Sequence, residues 1–112
     1  MKNKHSQLIS LLGECADACN RCSTACLEEQ DVKMMTECIR LDMDCSQICQ
    51  ITAAFISRGS DHAGHLIKEC AEICSKCAKE CSKHKDMQHC AVCAELCKKC
   101  AEACLMNVSV FN

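Results

Sequence analysis

Cys70-Ala-Glu-Ile-Cys74-Ser-Lys-Cys77-Ala-Lys-Glu-Cys81 sets four thiols at steps of four, three and four residues. Such steps average about 3.5 residues, so the four side chains share one face of an α-helix and form the seam along which packed helices meet. A strand would show alternation at every second residue, and none is present. Glu72, Lys76, Lys79 and Glu80 fall between the cysteines and supply the solvated face.

The pattern extends in both directions. Cys15-Ala-Asp-Ala-Cys19-Asn-Arg-Cys22-Ser-Thr-Ala-Cys26 repeats it upstream, and Cys90, Cys93, Cys97, Cys100 and Cys104 continue it downstream. Cys38, Cys45 and Cys49 make a stripe with one cysteine missing, because the seam between Cys38 and Cys45 passes through Leu41 or Asp42. The shared spacing of the first and third stripes reads as two related helical hairpins. No proline interrupts a segment, and turn residues gather at Glu28 to Asp31, at Ser57-Arg58-Gly59-Ser60-Asp61 and at Lys83 to Asp86. These breaks predict helices over 4–28, 31–58, 61–84 and 86–107, with Asp31, Ser60 or Asp61, and Asp86 as N-caps. Short connections favour antiparallel neighbours. The expected fold is all-α, an up-down-up-down four-helix bundle with a cysteine-lined core, formed as a single domain over residues 1–112.

Sixteen cysteines in 112 residues exceed the roughly 8–10% that marks a short chain as cysteine-organised. With Phe55 and Phe111 but no Trp or Tyr, the core must be filled by Cys, Ala, Leu and Ile. A formal net charge of -2 gives no basic field for phosphate, and aromatic platforms for bases are missing, so nucleic acid is not an expected partner. The start Met1-Lys2-Asn3-Lys4-His5 is weakly basic, but Leu8-Ile9-Ser10-Leu11-Leu12 is closed by Gly13 and Glu14, too short for a signal sequence. No stretch reaches membrane-spanning length. The expected compartment is the cytosol, with no membrane partner, where thiols stay reduced. There is no nucleophile with a separable base and no phosphate-cradling glycine loop, so no enzymatic activity is expected.

The spacing also sorts the chemistry. Residues three or four apart on a helix have Cβ atoms about 5–6 Å apart, beyond the roughly 3.5–4.5 Å of a disulfide. Pairing within a helix is therefore strained, although disulfides between helices stay sterically open. Zinc asks for four tetrahedral ligands in discrete closed sites, and an unbroken ladder does not divide into such quartets. The ferredoxin run Cys-x-x-Cys-x-x-Cys-x-x-x-Cys-Pro is absent. Cu(I) is soft and accepts two or three thiolates, so consecutive sulfurs can bridge successive ions. Two metal–sulfur bonds of the ~2.3 Å length typical of zinc span ~4.6 Å, near the reach of an i,i+4 pair. With each thiolate bridging two ions, capacity approaches one ion per cysteine, on the order of sixteen, and such a load means storage. All sixteen cysteines are thus candidate Cu(I) ligands. A thiol redox or iron–sulfur electron carrier, a zinc-binding metallothionein-like protein and a disulfide-stapled helical module stand as alternatives.

The stripes end differently at the two ends of the bundle. The first helix continues toward its start through Leu12, Leu8 and His5, and the second toward its end through Thr52 and Ile56. Phe55, Leu66, Ile67, Leu105 and Val108 fall at the same end, where an apolar plug is expected with His5, His62 and His65 as surface or capping groups. The opposite end collects Met34, Met35, His84, Met87 and His89 beside Cys26, Cys38, Cys81 and Cys90, and is the expected metal mouth. Imidazole is an exchangeable ligand suited to first capture, which makes His84 and His89 candidate ligands. The methionines read as packing, and Asp42 as a carboxylate able to reach the metal-lined interior.

The run Cys38-Ile-Arg-Leu-Asp-Met-Asp-Cys45-Ser-Gln-Ile-Cys49, together with the Lys83-His84…His89-Cys90-x-x-Cys93 junction, resembles the bacterial copper storage proteins, in particular their cytosolic branch. The resemblance covers the chain from Cys15 to Cys104. It implies a four-helix bundle filled with Cu(I)–thiolate, a homotetramer, and metal uptake through the polar, histidine-bearing end. Copper donor or acceptor proteins would be its partners. Leu8 and Leu12 stand where relatives can place further cysteines, which implies fewer ions than in the largest members.

Overall fold

The computed structural model describes residues 5–111. It consists of α1 (Ser6–Leu27), α2 (Thr36–Ser57), α3 (Ala63–Ser82) and α4 (Gln88–Phe111), with a 3₁₀ turn at Val32–Met35 leading into α2. Each helix packs on its neighbour in sequence, and α1 closes the ring against α4. Short connections make those neighbours antiparallel, so the all-α, up-down-up-down bundle is the fold observed. Among the described residues the backbones of the diagonal pairs, α1 with α3 and α2 with α4, do not approach each other. The axis is left to side chains, and those side chains are the cysteines, each fully buried.

The boundaries shift from the expected ones for identifiable reasons. Position 4, the expected start of the first helix, lies outside the described residues. Val32–Met35 forms a tighter 3₁₀ turn before α2, which buries Met35 completely while Met34 stays exposed. Of the expected N-caps, Ser60 acts in part: its Oγ accepts from His62 N–H at 3.1 Å in the turn that leads into α3. Asp31 precedes the 3₁₀ turn without a side-chain cap bond, and His62 holds the cap position of α3. α4 begins at Gln88, two residues past Asp86. Tight backbone turns replace the caps there: His84 N–H donates to Cys81 O at 3.0 Å, and Met87 N–H to His84 O at 3.0 Å. At the far end α4 runs beyond 107 to Phe111, because Val108 and Phe111 pack against the core.

The end of α2 shows one turn in full. Gly59 N–H donates to Ile56 O at 3.0 Å and Ser60 N–H to Phe55 O at 3.0 Å, a Schellman arrangement that requires a left-handed residue in the middle. Gly59 supplies it with φ 68°.

The plug forms as expected in most respects. Leu8, Leu12, Thr52, Ile56 and Ile67 are buried, and Phe55, Leu66 and Val108 are partly so. Thr52 Oγ1 donates to Leu66 O at 3.5 Å, and the His5 ring lies 4.5 Å from that of Phe111. Leu105 departs from this picture: it is 65% exposed, because it follows Cys104 and is turned about 100° from the seam. Ala16 and Ala71 are buried. They too follow a seam cysteine, and their small side chains face the adjacent helix and let it come close.

Candidate metal centre

The sixteen cysteines are free thiols. Along the axis they form overlapping groups in which the ligand atoms lie within 4.8 Å of one another. Toward the plug lies the quartet Cys15, Cys49, Cys74 and Cys100. Next come Cys15, Cys19, Cys45 and Cys97, then Cys19, Cys77, Cys93 and Cys97. Cys15, Cys19 and Cys97 each belong to two quartets, so the sulfurs form a continuous ladder rather than closed four-ligand compartments.

The ladder is built across helices as well as along them. Cys45 on α2 lies 3.4 Å from Cys74 on α3 and 3.9 Å from both Cys15 on α1 and Cys97 on α4. The last of these contacts crosses a diagonal, as does Cys49 to Cys100 at 4.0 Å. A three-coordinate ion with metal–sulfur bonds of about 2.3 Å would hold its sulfurs about 4.0 Å apart, and a two-coordinate one about 4.6 Å. Small side-chain movements therefore take the thiols to bridging geometry without rebuilding the helices.

Asp42 interrupts the sulfur where α2 lacks its fourth cysteine. Its Oδ1 accepts from Cys77 at 3.2 Å, Cys93 at 3.4 Å and Cys81 at 3.6 Å, and its Oδ2 from Cys38 at 3.9 Å. The carboxyl is fully buried. That burial, reinforced by repulsion from Cys93, Cys77 and Cys38 when they ionise, raises its pKa from 3.8 to about 10. It is therefore a neutral acid at pH 7. With Cys22, Cys38 and Cys81 it forms another group of four converging ligand atoms.

The mouth group is Cys22, Cys26, Cys90 and His89. His89 Nδ1 faces Cys22 at 3.6 Å, Cys26 at 3.8 Å and Cys90 at 3.5 Å, while Nε2 lies 3.0 Å from Glu29 Oε2. Burial first, and neighbouring thiols second, push the Cys26 thiol up and raise Cys90 to about 11, so metal must displace protons there. A groove of about 320 Å³ between α1 and α4, walled by Asp17, Arg21 and Val92, reaches Cys22 and His89 from the flank.

His84 is placed differently. It is largely buried, but its Nε2 turns to Glu80 Oε2 at 3.4 Å, on the last turn of α3 just before it, rather than to sulfur. Met87 packs against the core and Met34 is 61% exposed. His62 and His65 are exposed at the plug end. The structure thus gathers the cysteines, Asp42 and His89, and leaves His84 hydrogen-bonded outside that set. Glu29 escaped the sequence reading, where it served as part of a loop break. The signal available was its place three residues after the last cysteine of the first stripe.

A ladder of overlapping thiol groups inside four helices, plugged with apolar side chains at one end and bearing an imidazole at the other, defines a multi-ion thiolate-binding bundle. The chain belongs to the copper storage protein family, whose profile matches residues 1–109. Among solved structures it is similar to a cytosolic copper storage protein from Streptomyces lividans loaded with five coppers. That match has 39% identity and a TM-score of 0.89 over 93% of this chain and 91% of the other. A Cu(I)-bound copper storage protein, BsCsp3, gives 38% identity and a TM-score of 0.88 over 93% and 97%. The uncharacterized cysteine-rich protein YhjQ of Bacillus subtilis (strain 168) is 42% identical over 77 residues, 69% of this chain and 70% of its own length.

Proposed function

We propose that the protein stores and sequesters Cu(I), many ions per chain, on the thiolates of its sixteen cysteines. The overlap of the thiol quartets carries this reading, because shared corners suit a soft ion of low coordination number, whereas structural zinc is typically held in closed four-ligand sites. His89 is the ligand of first capture at the mouth, and Asp42 contributes a carboxylate oxygen within the ladder. His84 takes a lesser part, since Glu80 holds its ring. Nothing in the ladder assigns a reaction, and the protein acts by binding rather than by catalysis.

The assigned compartment is the cytosol, as for the similar Streptomyces lividans protein. Among the described residues no helix is long and apolar enough to cross a membrane. The assigned assembly is a homotetramer, for which the exposed Met43 and Ile51 on α2 offer an apolar outer face. Copper donor and acceptor proteins complete the partner set.

The test is an anaerobic Cu(I) titration of the reduced protein against a competing chelator. The expected end point lies near one ion per cysteine, on the order of sixteen. Saturation at one or two ions overturns the reading.

A further inference from the structure

We propose that Glu29 is a positioning residue for copper capture: its carboxylate fixes the His89 ring so that the Nδ1 lone pair faces the mouth thiols. This inference rests on the storage reading above.

The geometry leaves little freedom to the ring. A neutral imidazole carries one N–H and one lone pair, and an ionised carboxylate can only accept. The 3.0 Å contact of His89 Nε2 with Glu29 Oε2 therefore requires the proton on Nε2. Nδ1 is left as the acceptor, directed at Cys22, Cys26 and Cys90. In the opposite tautomer the Nε2 lone pair would meet the carboxylate, and an N–H would point at the sulfurs where the ion must arrive.

The carboxylate is itself anchored. Glu29 N–H donates to Cys26 O at 3.2 Å in the turn that ends α1, so one turn carries both a mouth thiol and the group that orients the imidazole beside it. The Glu29 and His89 side chains are 34% and 22% exposed, and water competes only partly for their hydrogen bond. The other histidine–carboxylate contact at this end differs. Glu80 is shared between His84 at 3.4 Å and Lys83 Nζ at 3.1 Å, and both partners lie on or just beyond the same helix end. Only Glu29 reaches from one helix end to another and joins its histidine to the thiols. Carboxylates that accept the second N–H of a ligating histidine raise its basicity and fix its tautomer, and their loss commonly weakens metal binding about 10–100-fold.

The test compares wild type with Glu29→Ala, Glu29→Gln and, as a neighbouring control, Glu28→Ala. In reduced, copper-free protein at about pH 8, where a free imidazole is neutral, nitrogen NMR of His89 should show Nε2–H in wild type. Glu29→Gln should keep it, because the amide oxygen also accepts, and Glu29→Ala should give a tautomer mixture. In stopped-flow Cu(I) transfer from a chelator, the first phase should slow about 10–100-fold in Glu29→Ala, recover with Glu29→Gln and match wild type in Glu28→Ala. Circular dichroism and thiol counting verify that each variant is folded and reduced. A wild-type ring protonated on Nδ1, a Glu29→Ala variant with unchanged tautomer and rate, or equal slowing in Glu28→Ala overturns the proposal. Failure of wild type to bind more than one or two ions overturns the storage reading instead, while the tautomer result still decides the place of Glu29.

Discussion

Replacing Asp42 with Asn should stabilise the copper-free protein at neutral pH. Asn has the shape of the protonated carboxyl: its Oδ1 can accept from Cys77, Cys81 and Cys93, and its NH₂ stands in for the O–H. In the unfolded chain the carboxyl ionises at 3.8, whereas in the bundle it holds its proton up to about 10. At pH 7 folding must therefore protonate a group that water would leave ionised about three pH units above its free pKa. At about 1.4 kcal/mol per unit, this costs about 4 kcal/mol. The native state binds more protons than the unfolded one throughout this window, so the contribution is absent below about pH 4 and grows unfavourably until about pH 10. Urea denaturation of reduced wild type and Asp42→Asn under anaerobic conditions at pH 5 and pH 7 isolates the site, because all other groups cancel in the difference. Wild type should lose about 3 kcal/mol relative to the variant between the two pH values, two pH units' worth of the proton held by the folded state. A variant with the same pH dependence as wild type, or one less stable at pH 7, would refute the argument that burial keeps this carboxyl neutral.

Other outcomes follow from the same geometry. Leu12→Ala, at a fully buried position of the plug, should cost about 2–5 kcal/mol in copper-free urea denaturation, and a loss below about 1 kcal/mol would mean the plug is loosely packed. Gly59→Ala should cost about 1–2 kcal/mol, because the left-handed turn at φ 68° penalises a Cβ; thermal unfolding measures it. Cu(I) uptake should release protons in a pH-stat and weaken on acidification, about tenfold per pH unit for each proton displaced, since burial holds Cys26 and Cys90 protonated at neutral pH. Affinities that do not change between about pH 5.5 and pH 7.5 would contradict that protonation.

The helices and their inward faces were legible because the 4-3-4 spacing carries both at once: a residue placed on the seam is placed on the helix and in the core together. The same count narrowed the position where the stripe of α2 lacks sulfur to Leu41 or Asp42, and burial assigns it to Asp42. The ends were harder, since capping is a local competition among several hydrogen-bonding options. Backbone turns from Lys83 to Met87 lead into α4, which begins at Gln88, two residues past the cap expected at Asp86. Leu105 was misplaced because it sits one residue from a seam cysteine, where a rotation of about 100° decides between solvent and a neighbouring helix. His84 and His89 looked equivalent in sequence. Their difference arises from their partners: His84 meets Glu80 four residues before it at the end of α3, whereas His89 meets Glu29 beyond the end of α1, which no spacing rule within one segment reveals.

The missing approach between diagonal helices has a consequence for how long the protein survives. With no backbone contact across the axis, the empty bundle is held there by small, weakly cohesive thiols, and every ion that links helices adds a strut. Binding to the folded form alone stabilises it by about 2.7 kcal/mol for each site at a hundredfold excess over its dissociation constant. The rate at which the chain opens to proteases is then set by how full it is. A cell that degrades whatever unfolds would remove drained copies first and spare loaded ones, so the fold itself acts as the gauge of its contents.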